Sequence, residues 1–275
     1  MSVINTNVKS MIAQNALTVN NRTLGKAMEQ LSTGKRINSA ADDAAGLAIG
    51  NRMTAQIKAL DQSVRNANDG ISMLQTAEGA TKEITNMLQR MRELSVQAAN
   101  DSYSAGDRTA IAGEMTQLTN EVTRIATNTQ WNGMAILSGA AAYSSMTFQV
   151  GTEGDATSAI TVGFSAMSAG ALTISALSVS TSVQAQASIE LLDTAITAVD
   201  TFRSGLGARV NRLTSAADNL ANVALNTSAS RSQIEDTDYA KTTTELAKSQ
   251  IIQQAATAML AQANQAPQSV LSLLK

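Results

Sequence analysis

From Ser39 to about Asn100 the apolar residues return in steps of three and four: Ile57, Leu60, Val64, Ala67, Ile71, Leu74, then Ile84, Leu88 and Met91. That rhythm belongs to an α-helix with one buried face. No proline interrupts it; the chain has a single proline, Pro267. Such a helix reaches roughly 90 Å at ~1.5 Å per residue. A compact globule of 275 residues is only about 50 Å across. The chain therefore builds a rod, unless Gly70 or Gly79 breaks the helix and folds it back.

The same rhythm flanks this segment. Ala13, Leu17, Asn20, Leu24, Ala27 and Leu31, preceded by Ile4, Val8 and Met11, predict a first helix over about Val3 to Leu31. Gly34 ends it, with Lys35 and Arg36 near its carbonyl end. Ser39-Ala40-Ala41-Asp42 reads as a capping box that puts Asp42 and Asp43 in the next helix's first turn. After a turn at Asp101–Gly106, Asp107 caps a third helix carrying Ile111, Met115, Leu118, Val122 and Ile125. It should pack antiparallel on the second. Asn132-Gly133 is a turn signal.

The period then changes to two. Met146, Phe148 and Val150 alternate with polar neighbours, as do Ile160, Val162 and Phe164, which predicts half-buried strands. Thr173-Ile174 is a candidate for another. A long helix resumes near Ser182 with Ile189, Leu192, Ile196, Val199, Leu206, Val210, Leu213, Ala217, Leu220 and Ala224. Gly205 and Gly207 within it permit close helix contact or a flexible point. Three carboxylates in Glu235-Asp236-Thr237-Asp238 could hold a cation, but a joint and a helix start fit the spacing better.

The tail differs. Between Ser249 and Leu274 there is no charged residue. Ala247, Ile251, Ala255 and Ala258 lie beside Ile252, Ala256, Met259, Ala263, Ala266, Val270 and Leu274 on one broad helical face. Gln253, Gln254, Gln262, Asn264, Gln265 and Gln268 break the apolarity, so this is no membrane span. Its few large apolar groups cannot offset the entropy of ordering it alone. It needs cover from the N-terminal segment and from copies of the same protein.

Composition closes off other classes. With no Cys and no His, disulfides, thiol nucleophiles, Ser-His-Asp triads and the usual zinc or iron ligands are excluded. Net charge is −2 with scattered cations and seven aromatic residues, which does not fit a nucleic-acid binder. Met1–Ser10 lacks the apolar core of a secretory signal peptide. No catalytic residue, cofactor or metal site is expected. The predicted fold class is mainly α: an elongated antiparallel helical hairpin or coiled-coil rod, with paired N- and C-terminal helices and a small β-hairpin insert. The predicted domains are a terminal helical domain (1–40 with 235–275), a helical rod domain (41–142 with 181–234) and a β element (143–180).

Several stretches carry a family resemblance. They are Ile4–Asn7; Leu31–Gly46, reading LSTGKRINSAADDAAG; Arg65–Ser72; Leu88–Gln97; Ile234–Ala240; and Leu260 to Leu274. In these the chain resembles bacterial flagellins along nearly its whole length, each end matching independently and in order. The resemblance implies a self-assembling subunit of the flagellar filament, extracellular, with its terminal helices lining an inner tube. It also implies export without a cleaved signal peptide through the flagellar type III apparatus. An export chaperone would hold the tail, filament cap and hook-junction proteins would act at the tip and base, and the ends would be disordered until assembly. Family contacts for a host Toll-like receptor match Gln89, Arg90, Leu94, Gln97 and Glu114. Large outer domains are missing here. The expected filament contacts are Leu24, Leu31, Ile251, Ile252, Met259, Val270 and Leu274.

Three alternatives fit the sequence less well. A hook–filament junction protein shares the terminal patterns, but Arg65–Gln97 and the C-terminus favour flagellin. A signalling coiled coil of chemoreceptor type needs a transmembrane span. The zinc protease carried by some flagellins needs histidines that this chain lacks.

Overall fold

A computed structural model describes residues 6–272, with side chains described except at Ala156 and from 266 onward. Five helices dominate: α1 (Val8–Thr33), α2 (Ala44–Ala99), α3 (Ala105–Asn128), α4 (Ser182–Glu235) and α5 (Tyr239–Ser272). Between α3 and α4 lie two antiparallel hairpins, β1 (Gln130–Trp131) with β2 (Met134–Ala135), and β3 (Ser145–Gln149) with β4 (Ala159–Gly163). The fold is mainly α, with paired terminal helices and a small β insert. The chain divides into two compact units, Met1–Ile57 with Leu225–Lys275, and the continuous stretch Lys58–Ala224.

The interior unit holds the main core. Leu74, Ile84, Leu88 and Met91 of α2 pack with Ile111, Met115 and Val122 of α3 and with Leu192, Val199, Leu206 and Leu213 of α4. Arg108 donates to the Ala98 carbonyl and Arg90 to Glu114, so α3 runs antiparallel to α2 as expected. The helix α2 passes unbroken through Gly70 and Gly79. Gly70 is a point of close approach instead: a Cβ there would stand 3.1 Å from the Phe148 ring and 3.2 Å from Leu213. Likewise α4 continues through Gly205 and Gly207. Three buried hydroxyls of α2 are satisfied within the helix, Thr81 donating to Ala77, Thr85 to Thr81 and Ser95 to Met91. Small polar residues can thus line the core without leaving unpaired groups.

The β insert follows its alternation. Met146 pairs with Val162 and Phe148 with Ile160. Asn132 (φ 47°) and Gly133 (φ 77°) make the two-residue turn joining β1 to β2, with positive φ at both positions. Three local expectations need correction. Thr173-Ile174 forms a turn, with Thr173 at φ 57° and the Ile174 N–H donating to the Ala169 carbonyl. The cap of α3 is Ser104, in a reciprocal box with Asp107 at the third helical position. Asp42 lies before α2, accepting from the Asn38 and Ser39 amides, while Asp43 caps by accepting from the Gly46 N–H.

In the terminal unit α1 and α5 run antiparallel. Gly34, at φ 71°, ends α1 with its N–H on the Gln30 carbonyl, as the sequence predicts. The strand-like turn after it meets the α4–α5 joint. Arg36 N–H donates to the Glu235 carbonyl (2.6 Å) and Thr237 N–H to the Gly34 carbonyl (3.0 Å). Lys35 pairs with the buried Glu235 carboxylate at 3.3 Å. Gly50 makes room for that carboxylate, since a Cβ there would fall 1.9 Å from its Oε1. Asp238 caps α5 through the Ala240 and Lys241 amides.

Candidate assembly surface

The seam between α1 and α5 is built from small and polar residues. Its buried positions include Asn20, Ala27, Thr242 and Ser249. The Asn20 amide donates to the Ser249 carbonyl at 2.8 Å, and the Asn7 amide to the Ala263 carbonyl at 2.8 Å. Ser10 donates to Asn264 and Gln253 to Asn21. These bonds fix register, because a slide of one residue would leave the buried Asn20 amide unpaired. They bury little apolar surface.

The large apolar groups of the same helices point elsewhere. Val8, Ile12 and Val19 recur at steps of four and seven on one face of α1, and are 53%, 65% and 54% exposed. Ile252 (41%) and Met259 (65%) flank them from α5. Together they line two adjoining grooves. One, of about 470 Å³, is walled by Ile12, Ala16, Val19 and Ile252. The other, of about 390 Å³, lies between Ile12, Ala13, Met259 and Ala263. The floor of this strip is apolar, Lys9, Glu245 and Lys248 stand at its edges, and its large side chains are partly open, which marks a surface that associates.

The expected filament contacts divide three ways. Ile251, Ile252 and Met259 are exposed, as that role requires. Leu24 and Leu31 are half-buried and share their face with Asn20 and Ala27. The side chains of Val270 and Leu274 lie outside the described residues. Ile12 and Val19 lie outside the rows read from the sequence, although with Val8 their spacing marks a second apolar row.

On the interior unit, Gln89, Arg90, Gln97 and Glu114 are exposed. Arg90 contacts Glu93 at 3.1 Å and Glu114 at 3.1 Å. The Glu93 carboxylate first, then Glu114, raises the Arg90 guanidinium above its ordinary value. Gln97 donates to the Tyr103 hydroxyl at 3.2 Å. Leu94 is only 2% exposed and packs in the core.

No helix among the described residues is long and apolar enough to cross a membrane. Residues 4–142 match the bacterial flagellin N-terminal helical region, and residues 189–274 match the bacterial flagellin C-terminal helical region. A flagellin of Xenorhabdus nematophila is 45% identical, the match covering 100% of this chain and 99% of that protein. A flagellin of Halalkalibacterium halodurans is 42% identical over 99% of this chain and 100% of its own length. The crystal structure of Bacillus cereus flagellin aligns with a TM-score of 0.50 at 32% identity, covering 57% of this chain and 88% of that one.

Proposed function

The chain belongs to the bacterial flagellin family, and from that premise we propose that it works by folding its two ends against copies of itself as it joins a flagellar filament. The filament is extracellular and serves motility, and its subunit has a structural, non-catalytic role. One observation carries the mechanism: the apolar strip of Ile12, Val19, Ile252 and Met259 is left 41–65% exposed by the described residues of its own chain. A seam of amides between α1 and α5 gives the pair its register but little stability. Neighbouring subunits then supply the missing burial, so folding and association are coupled.

In this reading residues 1–40 and 235–275 form the inner tube. Residues 41–142 and 181–234 form the surrounding helical layer, and 143–180 its small β element. Ile251, Ile252, Met259, Val270 and Leu274 contact neighbours, while Leu24 and Leu31 brace the pair. The chain leaves the cell through the type III export apparatus, its tail held by a chaperone until a cap at the tip places it, and hook-junction proteins anchor the first subunits. Gln89, Arg90, Gln97 and Glu114 form the surface read by a host Toll-like receptor, with Leu94 supporting them from beneath. Family membership supports these partners, and the exposed Arg90–Glu114 pair supports the receptor surface.

Deleting Gln250–Lys275 tests the mechanism. The interior unit, whose core is its own, should stay folded by circular dichroism, and electron microscopy should show no filaments. Normal filaments from the truncated chain would overturn it. For the receptor surface, Arg90→Ala in purified monomer should weaken signalling in a receptor reporter assay, and undiminished signalling would remove that assignment.

A further inference from the structure

The chain contains twelve methionines and no cysteine, so thioethers are its main targets for mild oxidants. Their placement is uneven. Met73, Met91, Met115 and Met167 are 1%, 0%, 4% and 3% exposed in the interior core. Met53, Met87, Met134 and Met146 are half-buried. Among the described residues the only exposed methionines are Met11 (61%), Met28 (57%) and Met259 (65%), and all three lie on α1 and α5. Met259 forms a wall of the groove shared with Ile12 and Ala263.

We infer that Met11, Met28 and Met259 are sites of reversible sulfoxidation by peroxides in the unassembled chain, and that a chain so oxidised does not add to a filament. The inference rests on the filament reading above. The chemistry is a two-electron oxygen transfer. The thioether sulfur attacks one peroxide oxygen, the O–O bond breaks, an S=O bond forms, and the other oxygen leaves as water after taking up a proton. Sulfur is oxidised and the peroxide reduced. The product replaces an apolar, deformable group by a strong hydrogen-bond acceptor. At Met259, in the groove that the filament reading buries against a neighbour, that acceptor loses its water and disturbs the apolar contact with Ile12 and Ala263. The interior core is spared because its methionines meet oxidant only when the unit opens.

The test treats purified full-length monomer with hydrogen peroxide, maps sulfoxides by peptide mass spectrometry and measures seeded elongation by light scattering. Met11, Met28 and Met259 should oxidise at least about tenfold faster than Met73 and Met91, in line with exposure. The critical concentration for elongation should rise about tenfold or more, the effect of burying an unpaired polar oxygen. Methionine sulfoxide reductases with dithiothreitol should restore it. The triple variant Met11→Leu, Met28→Leu, Met259→Leu, compared with its own untreated sample, should lose little elongation to peroxide. Equal oxidation rates at Met73 and Met91 would overturn the inference, as would a triple variant that loses elongation as fully as wild type. Failure of untreated wild type to elongate seeds would refute the filament reading, and with it the elongation half of the inference; the sulfoxide map would still decide site selectivity.

Discussion

Replacing Ile12 by Ala separates assembly from folding more cleanly than any other change in this chain. Ile12 is 65% exposed on α1, so the folded monomer gains little from its side chain. Ala is also the better helix former, and the thermal midpoint of the monomer should hold or rise slightly. Assembly should suffer. Fully burying such a side chain contributes about 1.5–3 kcal/mol. With 65% still open, roughly 1–2 kcal/mol remains for a neighbour to recover. Since about 1.4 kcal/mol is a factor of ten, losing it should raise the critical concentration some 5- to 30-fold. Sedimentation of seeded reactions across a dilution series measures this directly. Ile12→Asp should block elongation outright, because it would bury a charge without a partner. An unchanged critical concentration for Ile12→Ala, with monomer stability also unchanged, would refute the idea that this strip is covered in the filament.

Other outcomes test the interior and the turns. Leu88, fully buried between helices, should cost about 2–5 kcal/mol when cut to Ala, lowering the urea midpoint without changing the slope. Gly70→Leu should overpack the contact with Phe148 and Leu213 and cost about 1–3 kcal/mol in the same assay. Asp42 is held at about 2, below its ordinary 3.8, first by the Lys26 ammonium and then by the Ser39 and Asn38 amides. Folding lowers this carboxyl, so its contribution is complete above pH 3.8 and lost as pH falls through about 2. The Asp42 carboxyl-carbon shift should titrate near that lower value, and Lys26→Met should move the midpoint up; a midpoint that stays put would show that Lys26 is not the cause.

Much of the fold was legible because repetition announced it. The three–four rhythm located α2, α3 and α4, the alternation around Phe148 and Val162 located β3 and β4, and Asn132-Gly133 located the tight turn. What escaped depended on partners far away in the chain. Asp42 and Asp43 are equally able to cap a helix, and Asp43 does so because Lys26 and the amides of Asn38 and Ser39 occupy Asp42. Thr173-Ile174 has strand-forming side chains but finds no strand to pair with. Leu94 sits one turn from Arg90 as counted, yet it is buried in the interior core. The terminal helices were hardest to read. Periodicity marks an apolar face without saying what covers it, and on α1 two such faces adjoin. The one with Leu24 and Leu31 is half-buried, and the one with Ile12 and Val19 stays largely open.

The backbone bonds from Arg36 and Thr237 join positions about 200 residues apart, and all of Lys58–Ala224 lies between the two halves of the unit they close. Closing so long a loop in an unfolded chain carries a large entropic cost. Once the interior has folded, with Leu60 beside Leu220, that cost is largely met, and only short arms remain to be brought together. The order of events follows. The interior forms first, the terminal unit zips last and opens first, and α1, although synthesised before everything else, has to wait for the last residues of the chain.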